Sequence, residues 1–161
     1  MKKIFFTITI LFFLIFSCNV ENAHKPSGPD GWLKGNTAEK FETIAAQLRG
    51  FDVAMVEVGY RYQELYWAGQ GQNWDYAKYL LDKIKIAIKN GLERRPKRAK
   101  SAEHFITNVL PEMQSAVNAK DTSAFNRNFE IMTINCNNCH AMEQVPFFTV
   151  KTPVERQSPI K

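Results

Sequence analysis

The sequence has few cysteines and few histidines, three of each in 161 residues. So small a set does not favour a disulfide framework, and it leaves few ligands for a four-coordinate zinc site. No stretch alternates apolar and polar residues as a half-buried strand does, and no internal repeat or nucleic-acid-binding motif is present. The net charge of +5 is small and says little about partners. These absences indicate an all-α protein that does not bind nucleic acid.

The first residues have the pattern of an export signal. Lys2 and Lys3 precede an apolar run over residues 4–16, which is too short to span a bilayer and typical of a signal peptide. Cys18 follows an aliphatic and a small residue in a pattern that resembles a bacterial lipobox. We therefore predict a lipoprotein signal peptide over residues 1–17, a lipid on Cys18, and a location at the periplasmic side of a bacterial membrane, inner or outer. The alternative is ordinary signal cleavage with an unmodified Cys18.

A second pattern lies near the other end of the sequence: Cys136-Asn137-Asn138-Cys139-His140. Cys-x-x-Cys-His is the attachment signature of c-type haem, in which two thiols bind the porphyrin covalently and the histidine binds the iron. Positions i, i+3 and i+4 share one face of a helix, so all three side chains can reach one macrocycle. Half of a zinc site and a disulfide between Cys136 and Cys139 are the alternatives. We predict one covalent haem c.

Apolar residues recur at helical spacing in four segments. We predict a first helix from the N-cap Asn36 to about residue 68, a second after Asn73, a third over residues 101–119 kinked by Pro111, and a fourth capped by Asp121 or Thr122. Residues 18–35 read as a flexible tether, residues 145–150 as an extended segment that packs on the helices, and residues 151–161 as a loose tail. Residues 36–150 then form one domain.

The predicted helices each carry one apolar face. In the second helix this face comprises Ala77, Leu80, Leu81, Ile84, Ala87, Ile88 and Gly91. In the fourth it comprises Phe125, Phe129, Met132, Cys136, Cys139 and His140. Gly50 and Gly59 lie inside the first predicted helix, where a glycine costs about 1 kcal/mol, so we expect a close packing contact at one or both. Four such helices with short connections predict an up-down-up-down four-helix bundle with a cofactor in its core.

The late position of Cys136-Asn137-Asn138-Cys139-His140, on the last of four helices, resembles the cytochrome c′ family of class II c-type cytochromes. The resemblance covers the helical region, about residues 37–143. It implies that His140 is the proximal iron ligand and that the first helix covers the opposite, distal face of the haem. It also makes a homodimer an option. The segment after the motif is longer than the family's, and the lipid tether is an addition.

The first helix offers Met55 and Tyr62 to the distal side. Met55 as a sixth ligand would give His/Met iron and favour electron transfer. Tyr62 would line the pocket and could hydrogen-bond a bound gas. For both, packing in the core is the competing interpretation. His104 is a further distal candidate on the polar side of the third helix. A peroxidase uses a distal histidine or arginine, and Arg61 lies next to Tyr62 but off the apolar face.

We therefore predict one-electron transfer by a membrane-tethered monohaem cytochrome that is not an enzyme, although weak peroxidase activity stays open. One alternative is a protein that binds nitric oxide or carbon monoxide at an open distal site. Another is a haem subunit of a respiratory complex that docks through the basic segment, residues 94–100. For electron transfer, the partner would be another redox protein.

Overall fold

A computed structural model describes residues 25–158 as two compact units that divide between Arg49 and Gly50. The predicted signal peptide, the lipidation site Cys18 and the tether residues up to His24 lie outside the described residues. Over residues 25–158 the chain is mostly helical and contains no strand, only an isolated bridge between Ser27 and Leu33. The prediction of an all-α fold class is confirmed for these residues.

The first unit contains one α-helix, α1 (Thr37–Leu48). The predicted capping box is present: Glu39 N donates to Asn36 Oδ1 at 3.0 Å, and Asn36 N donates to Glu39 Oε2 at 2.6 Å. None of the residues of α1 is buried. The helix ends where Arg49 takes a positive φ of 58°. The prediction of one continuous helix from residue 36 to about 68 is therefore wrong, because this left-handed turn separates α1 from the next helix.

The second unit holds the remaining helices, which follow one another with short connections. They are α2 (Phe51–Gln70), α3 (Trp74–Arg94), a 3₁₀ turn (Pro96–Arg98), α4 (Ala99–His104), a π-helical turn (Phe105–Val109), α5 (Leu110–Ala119) and α6 (Thr122–Met142). Side chains cap two of them as predicted, since Asn73 accepts from Tyr76 N and Asp121 accepts from Ala124 N.

The apolar faces of these helices form one core. The buried residues of α3 are the seven predicted from the sequence. The largest fully buried apolar side chains include Phe125, Phe129, Leu65, Leu80 and Ile84. Burying a side chain of this size contributes about 1.5–3 kcal/mol, so this core is the main source of stability in the second unit.

The third predicted helix begins two residues earlier than expected, at Ala99, and is continuous with α5 through the π-helical turn. Pro111 lies in the first turn of α5, directly after that turn. Proline has no N–H to give to the carbonyl four residues before it, and the wider π turn accommodates the missing bond. The sequence predicts a kink at Pro111; the structure instead has a π-helical turn just before this proline.

Two glycines allow the helices of the second unit to approach closely. A Cβ on Gly91 would lie 2.7 Å from Phe51 and 2.8 Å from Ala54, and a Cβ on Gly69 would lie 2.1 Å from the Phe125 ring. Nothing lies within 4 Å of a Cβ on Gly59, so the close contact expected there is absent. Gly50 is the N-cap residue of α2 and not inside a helix. A Cβ there would lie 2.9 Å from Asp52 Oδ1 and 3.4 Å from Arg95 Nε, so the expected close contact is present at Gly50.

None of the helices in the described part of the chain is both long enough and apolar enough to cross a bilayer.

Candidate haem site

Helix α6 carries the Cys-x-x-Cys-His motif in its last two turns. Phe125, Phe129 and Met132 are buried on its inner face, and Cys136 continues that face by packing against the core. Cys139 is partly buried, and both thiols are free. The structure therefore has no disulfide between Cys136 and Cys139. Their two thiols lie one turn apart on a regular helix.

Burial changes the chemistry of the first thiol. It raises the pKa of Cys136 to about 12, and the neighbouring Cys139 adds to the rise. Because the thiolate is the reactive form, a thiol with a raised pKa is a poor redox nucleophile. Reactive Cys-x-x-Cys pairs of the thiol–disulfide type have lowered values instead. The environment of Cys136 thus does not fit a dithiol oxidoreductase.

His140 makes a hydrogen bond that fixes its tautomer. Its Nδ1 lies 2.5 Å from the backbone carbonyl oxygen of Phe148. A carbonyl oxygen can only accept, so Nδ1 must carry the hydrogen, and the lone pair of the neutral ring is then on Nε2. Histidines that bind metals commonly donate their second nitrogen to a carbonyl or carboxylate in this way. The arrangement leaves Nε2 available as an iron ligand.

Phe148 belongs to a segment that we call the strap (residues 145–156), which follows α6 and packs against α2 and α6. Asn137 Nδ2 donates to Val150 O at 3.0 Å, and Val150 N donates to Asn137 Oδ1 at 2.8 Å. Tyr62 Oη lies 3.3 Å from Lys151 O. Val150 packs against the core, but residues 146–148 form a turn, and Phe147 and Phe148 are 73% and 62% exposed. The prediction of an extended segment packed on the helices over residues 145–150 is therefore wrong except at Val150. The loose tail predicted from residue 151 does not describe residues 151–156, because Tyr62 of α2 binds Lys151 O and Glu64 of α2 pairs with Arg156.

The strap ends in a buried ion pair. Glu64 of α2 is 2% exposed, and its Oε2 accepts from Arg156 at 3.1 Å and from Tyr76 Oη at 3.2 Å. Burial, the Glu64 charge and this hydrogen bond raise the pKa of Tyr76 to about 12. A buried carboxylate is tolerated only with such partners, so Arg156 holds the strap against α2.

Tyr62, one of the two predicted distal residues, is buried beside the motif. Its ring stacks on Phe129 with centroids 4.6 Å apart, and its hydroxyl lies 2.6 Å from Thr133 Oγ1. Burial raises the pKa of Tyr62 to about 12; the Thr133 hydrogen bond opposes the rise and the nearby Cys136 adds to it. Thr133 already donates its own hydrogen to Phe129 O at 2.8 Å. The single hydroxyl hydrogen of Tyr62 is therefore used within the protein, donated to Thr133 Oγ1 or to the Lys151 carbonyl.

Met55, the other predicted distal residue, is partly buried and packs against the core. Contacts between α2 and α6 run in reverse order, with Gly69 against Phe125 and Tyr62 against Thr133. Met55 is two helical turns before Tyr62, and His140 is two turns after Thr133. Since both helices rise about 1.5 Å per residue, Met55 and His140 lie at about the same level of the paired helices.

The other candidates are engaged elsewhere or exposed. His104 is exposed. Arg61 pairs with Glu57 of its own helix at 2.8 Å. The basic segment 94–100 is helical except at Arg95, and Arg98 pairs with Glu143 at the end of α6. Within residues 25–158, no group of three or more His, Cys, Asp and Glu side chains is arranged to hold a metal ion directly.

Sequence reasoning did not single out Asn137, Thr133, Glu64 or Arg156. Glu64 lies among the apolar positions of α2, next to Leu65, and a charge at such a position is a signal of a buried pair. Asn137 occupies a variable position of the motif, and nothing local distinguishes it from Asn138.

Comparisons with protein-family models, with curated proteins and with solved structures find no match to this chain.

Proposed function

We propose that this chain is a monohaem c-type cytochrome that transfers single electrons. The observation that carries the proposal is the state of the motif on α6. Cys136, Cys139 and His140 share one helical face, the thiols are free, and the Phe148 carbonyl directs the lone pair of His140 to Nε2. These are the groups that a covalent haem requires, in the tautomer that it requires.

In this proposal Cys136 and Cys139 bind the porphyrin through thioether bonds, and His140 Nε2 is the proximal iron ligand. When bound, the haem supplies an iron that cycles between Fe(III) and Fe(II). The porphyrin would itself supply nitrogen ligands to the iron, so the protein would not need a cluster of carboxylates or imidazoles. Helix α6 keeps the three side chains in register, and Phe129 and Met132 support it from the core.

We infer that α2, α3, the continuous rod of α4 and α5, and α6 form an up-down-up-down four-helix bundle. Short connections favour antiparallel neighbours. The contacts of Gly91 with Phe51 and of Gly69 with Phe125 are those of paired helices that run in opposite directions. This bundle begins at Phe51 and does not include α1, in contrast to the bundle expected from the sequence.

On the distal side we propose Met55 as the sixth ligand. It lies at the level of His140 on the helix that pairs with α6, and a thioether is a known axial ligand of electron-transfer haems. Tyr62 is better suited to hold α2 on α6 than to stabilise a bound gas, since its hydrogen is already donated within the protein, to Thr133 or to the Lys151 carbonyl. The hydrogen-bonding therefore favours the electron carrier over the gas binder.

We also propose that a lipid on Cys18 tethers the protein to the periplasmic side of a bacterial membrane, inner or outer. Support comes from the sequence of residues 1–18 alone. Replacing Cys18 by serine should move the protein from the membrane fraction to the soluble fraction. Retention in the membrane fraction would refute the lipid anchor without bearing on the haem.

Two measurements test the electron-transfer proposal. Covalent haem staining on a denaturing gel should be present in the wild type and absent after Cys136 and Cys139 are both replaced by alanine. The reduced wild-type protein should show a low-spin spectrum that carbon monoxide does not change. A high-spin spectrum that shifts with carbon monoxide would refute Met55 as a ligand and support gas binding.

The chain offers a matched control for the sixth ligand. Met55→Leu should open the distal position and make the reduced protein respond to carbon monoxide. Met142→Leu changes an exposed methionine on α6 and should leave the spectrum as in the wild type. Equal spectra for both variants would show that Met55 does not bind the iron.

A further inference from the structure

Asn137 is the first variable residue of the motif, and its side chain binds the strap at two points. Its amide nitrogen donates to Val150 O, and its amide oxygen accepts from Val150 N. The side-chain amide thus pairs with the N–H and the C=O of one residue, as a neighbouring strand does in a sheet. Two such bonds fix both the position and the orientation of the Val150 backbone. Asn137 therefore acts as a clamp on the strap.

The clamp lies next to the group that contacts His140. Phe148 is two residues before Val150, and its carbonyl accepts from His140 Nδ1. On the other side, Val145 N donates to His140 O, and Phe148 N donates to Val145 O. The Phe148 carbonyl is thus bracketed between a turn that continues α6 and the Asn137 clamp. Without the clamp, the turn would restrain it on one side, and the next contacts on the other side would be those of Lys151 and Arg156 with α2.

We propose that Asn137 is a positioning residue that holds the Phe148 carbonyl on His140 Nδ1 and thereby sets the reduction potential of the iron. This proposal rests on the proposed function. A carbonyl that accepts from Nδ1 makes the imidazole a stronger electron donor through Nε2. A stronger donor stabilises Fe(III) relative to Fe(II), so an intact clamp lowers the potential.

Asn138 provides the control. It occupies the second variable position of the same motif, it is exposed, and its side chain makes no hydrogen bond among the described residues. Asn137→Ala and Asn138→Ala therefore remove the same amide from neighbouring positions of one helix. Alanine favours the helix at both sites, so neither variant should lose α6. Asn137→Gln retains the donor and the acceptor on a longer side chain.

The first readout is the reduction potential of the haem-loaded variants. Asn137→Ala should favour Fe(II) about tenfold, which for one electron is a rise of about 59 mV. Asn138→Ala should leave the potential unchanged, and Asn137→Gln should restore part of the wild-type value. Equal potentials for Asn137→Ala and Asn138→Ala would overturn the proposal. A merely structural role of Asn137 would not move the potential.

The second readout does not depend on haem. Exchange of the Val150 amide hydrogen, followed in protein produced without haem, should be at least about tenfold faster in Asn137→Ala than in Asn138→Ala, because the hydrogen bond to Asn137 Oδ1 protects it. Equal exchange would show that the clamp does not form. A failure of the proposed function would be recognised separately, because the wild-type protein would then show no covalent haem stain on a denaturing gel.

Discussion

Replacing Gly69 by alanine should destabilise the protein, whereas the same change at Gly59, in the same helix, should stabilise it. A Cβ on Gly69 would lie 2.1 Å from two atoms of the Phe125 ring, well inside the contact distance of about 3.5–4.0 Å between carbon atoms. Phe125 is fully buried, and the rings of Trp74 and Phe129 lie beside it, each with its centroid 5.9 Å away. The ring therefore has little room to move.

The magnitude follows from two opposing effects. Alanine gains up to about 1 kcal/mol over glycine inside a helix, and less near the end of α2, where Gly69 lies. Overpacking a core costs about 1–3 kcal/mol. We expect Gly69→Ala to lose about 1–2 kcal/mol net. Nothing lies within 4 Å of a Cβ on Gly59, so Gly59→Ala keeps only the gain in helix propensity, about 0.5–1 kcal/mol.

Urea denaturation followed by circular dichroism measures both variants under the same conditions. The expected difference of about 2 kcal/mol is large beside the error of such measurements. A Gly69→Ala protein as stable as Gly59→Ala would refute the packing argument. Phe125→Leu provides the check on mechanism. In that background Gly69→Ala should cost less than in the wild type, because the two sites share one contact.

Three further predictions concern the buried ionisable groups. The pKa of Tyr62 and of Tyr76 is raised from 10.0 to about 12, so between pH 10 and 12 the unfolded chain loses these protons first. Stability should therefore fall as pH rises through this window, by up to about 1.4 kcal/mol per pH unit for the buried Tyr62 and by less for Tyr76, which solvent screens, and urea denaturation of Tyr62→Phe should show a shallower fall. Arg156→Gln leaves the Glu64 carboxylate buried without its cation and should cost about 2–3 kcal/mol, which Glu64→Gln in the same chain should partly recover by the same measurement. In protein without haem, the Cys136 thiol should react with iodoacetamide far more slowly at pH 8 than an exposed cysteine does, since its pKa is about 12.

Each of these would be contradicted by a simple result. Stability that stays level from pH 10 to 12 would show that the tyrosine hydroxyls are not desolvated. An Arg156→Gln protein as stable as the wild type would show that Glu64 does not depend on the strap. Alkylation of Cys136 at the rate of an exposed thiol would show that the inner face of α6 is open to water.

The local features of the helices could be predicted from the sequence. The buried face of α3 follows from apolar spacing alone. Asn36, Asn73 and Asp121 cap their helices because each side chain and the backbone N–H that donates to it are three residues apart. The motif on α6 also follows from spacing. Such features need no knowledge of the partner that packs on them.

The features that depend on distant residues could not be predicted. The propensity cost of glycine is the same at Gly59 and Gly69, and only the position of Phe125 shows which one is needed for packing. The break after α1 depends on the backbone conformation of one residue, Arg49, and no local sequence pattern predicts its positive φ. The contact of His140 with the strap is made by a backbone carbonyl, which every residue has.

The ion pair between Glu64 and Arg156 also bears on how the protein is made. Its two residues are 92 positions apart in the chain. A growing or translocating chain that has emerged only as far as α6 contains the acidic partner without the basic one. Its α2 cannot bury Glu64 without a penalty of several kcal/mol, so the native packing of α2 is favoured only after the strap has followed. A chain cut short before Arg156 should consequently be a better substrate for proteases than the full one.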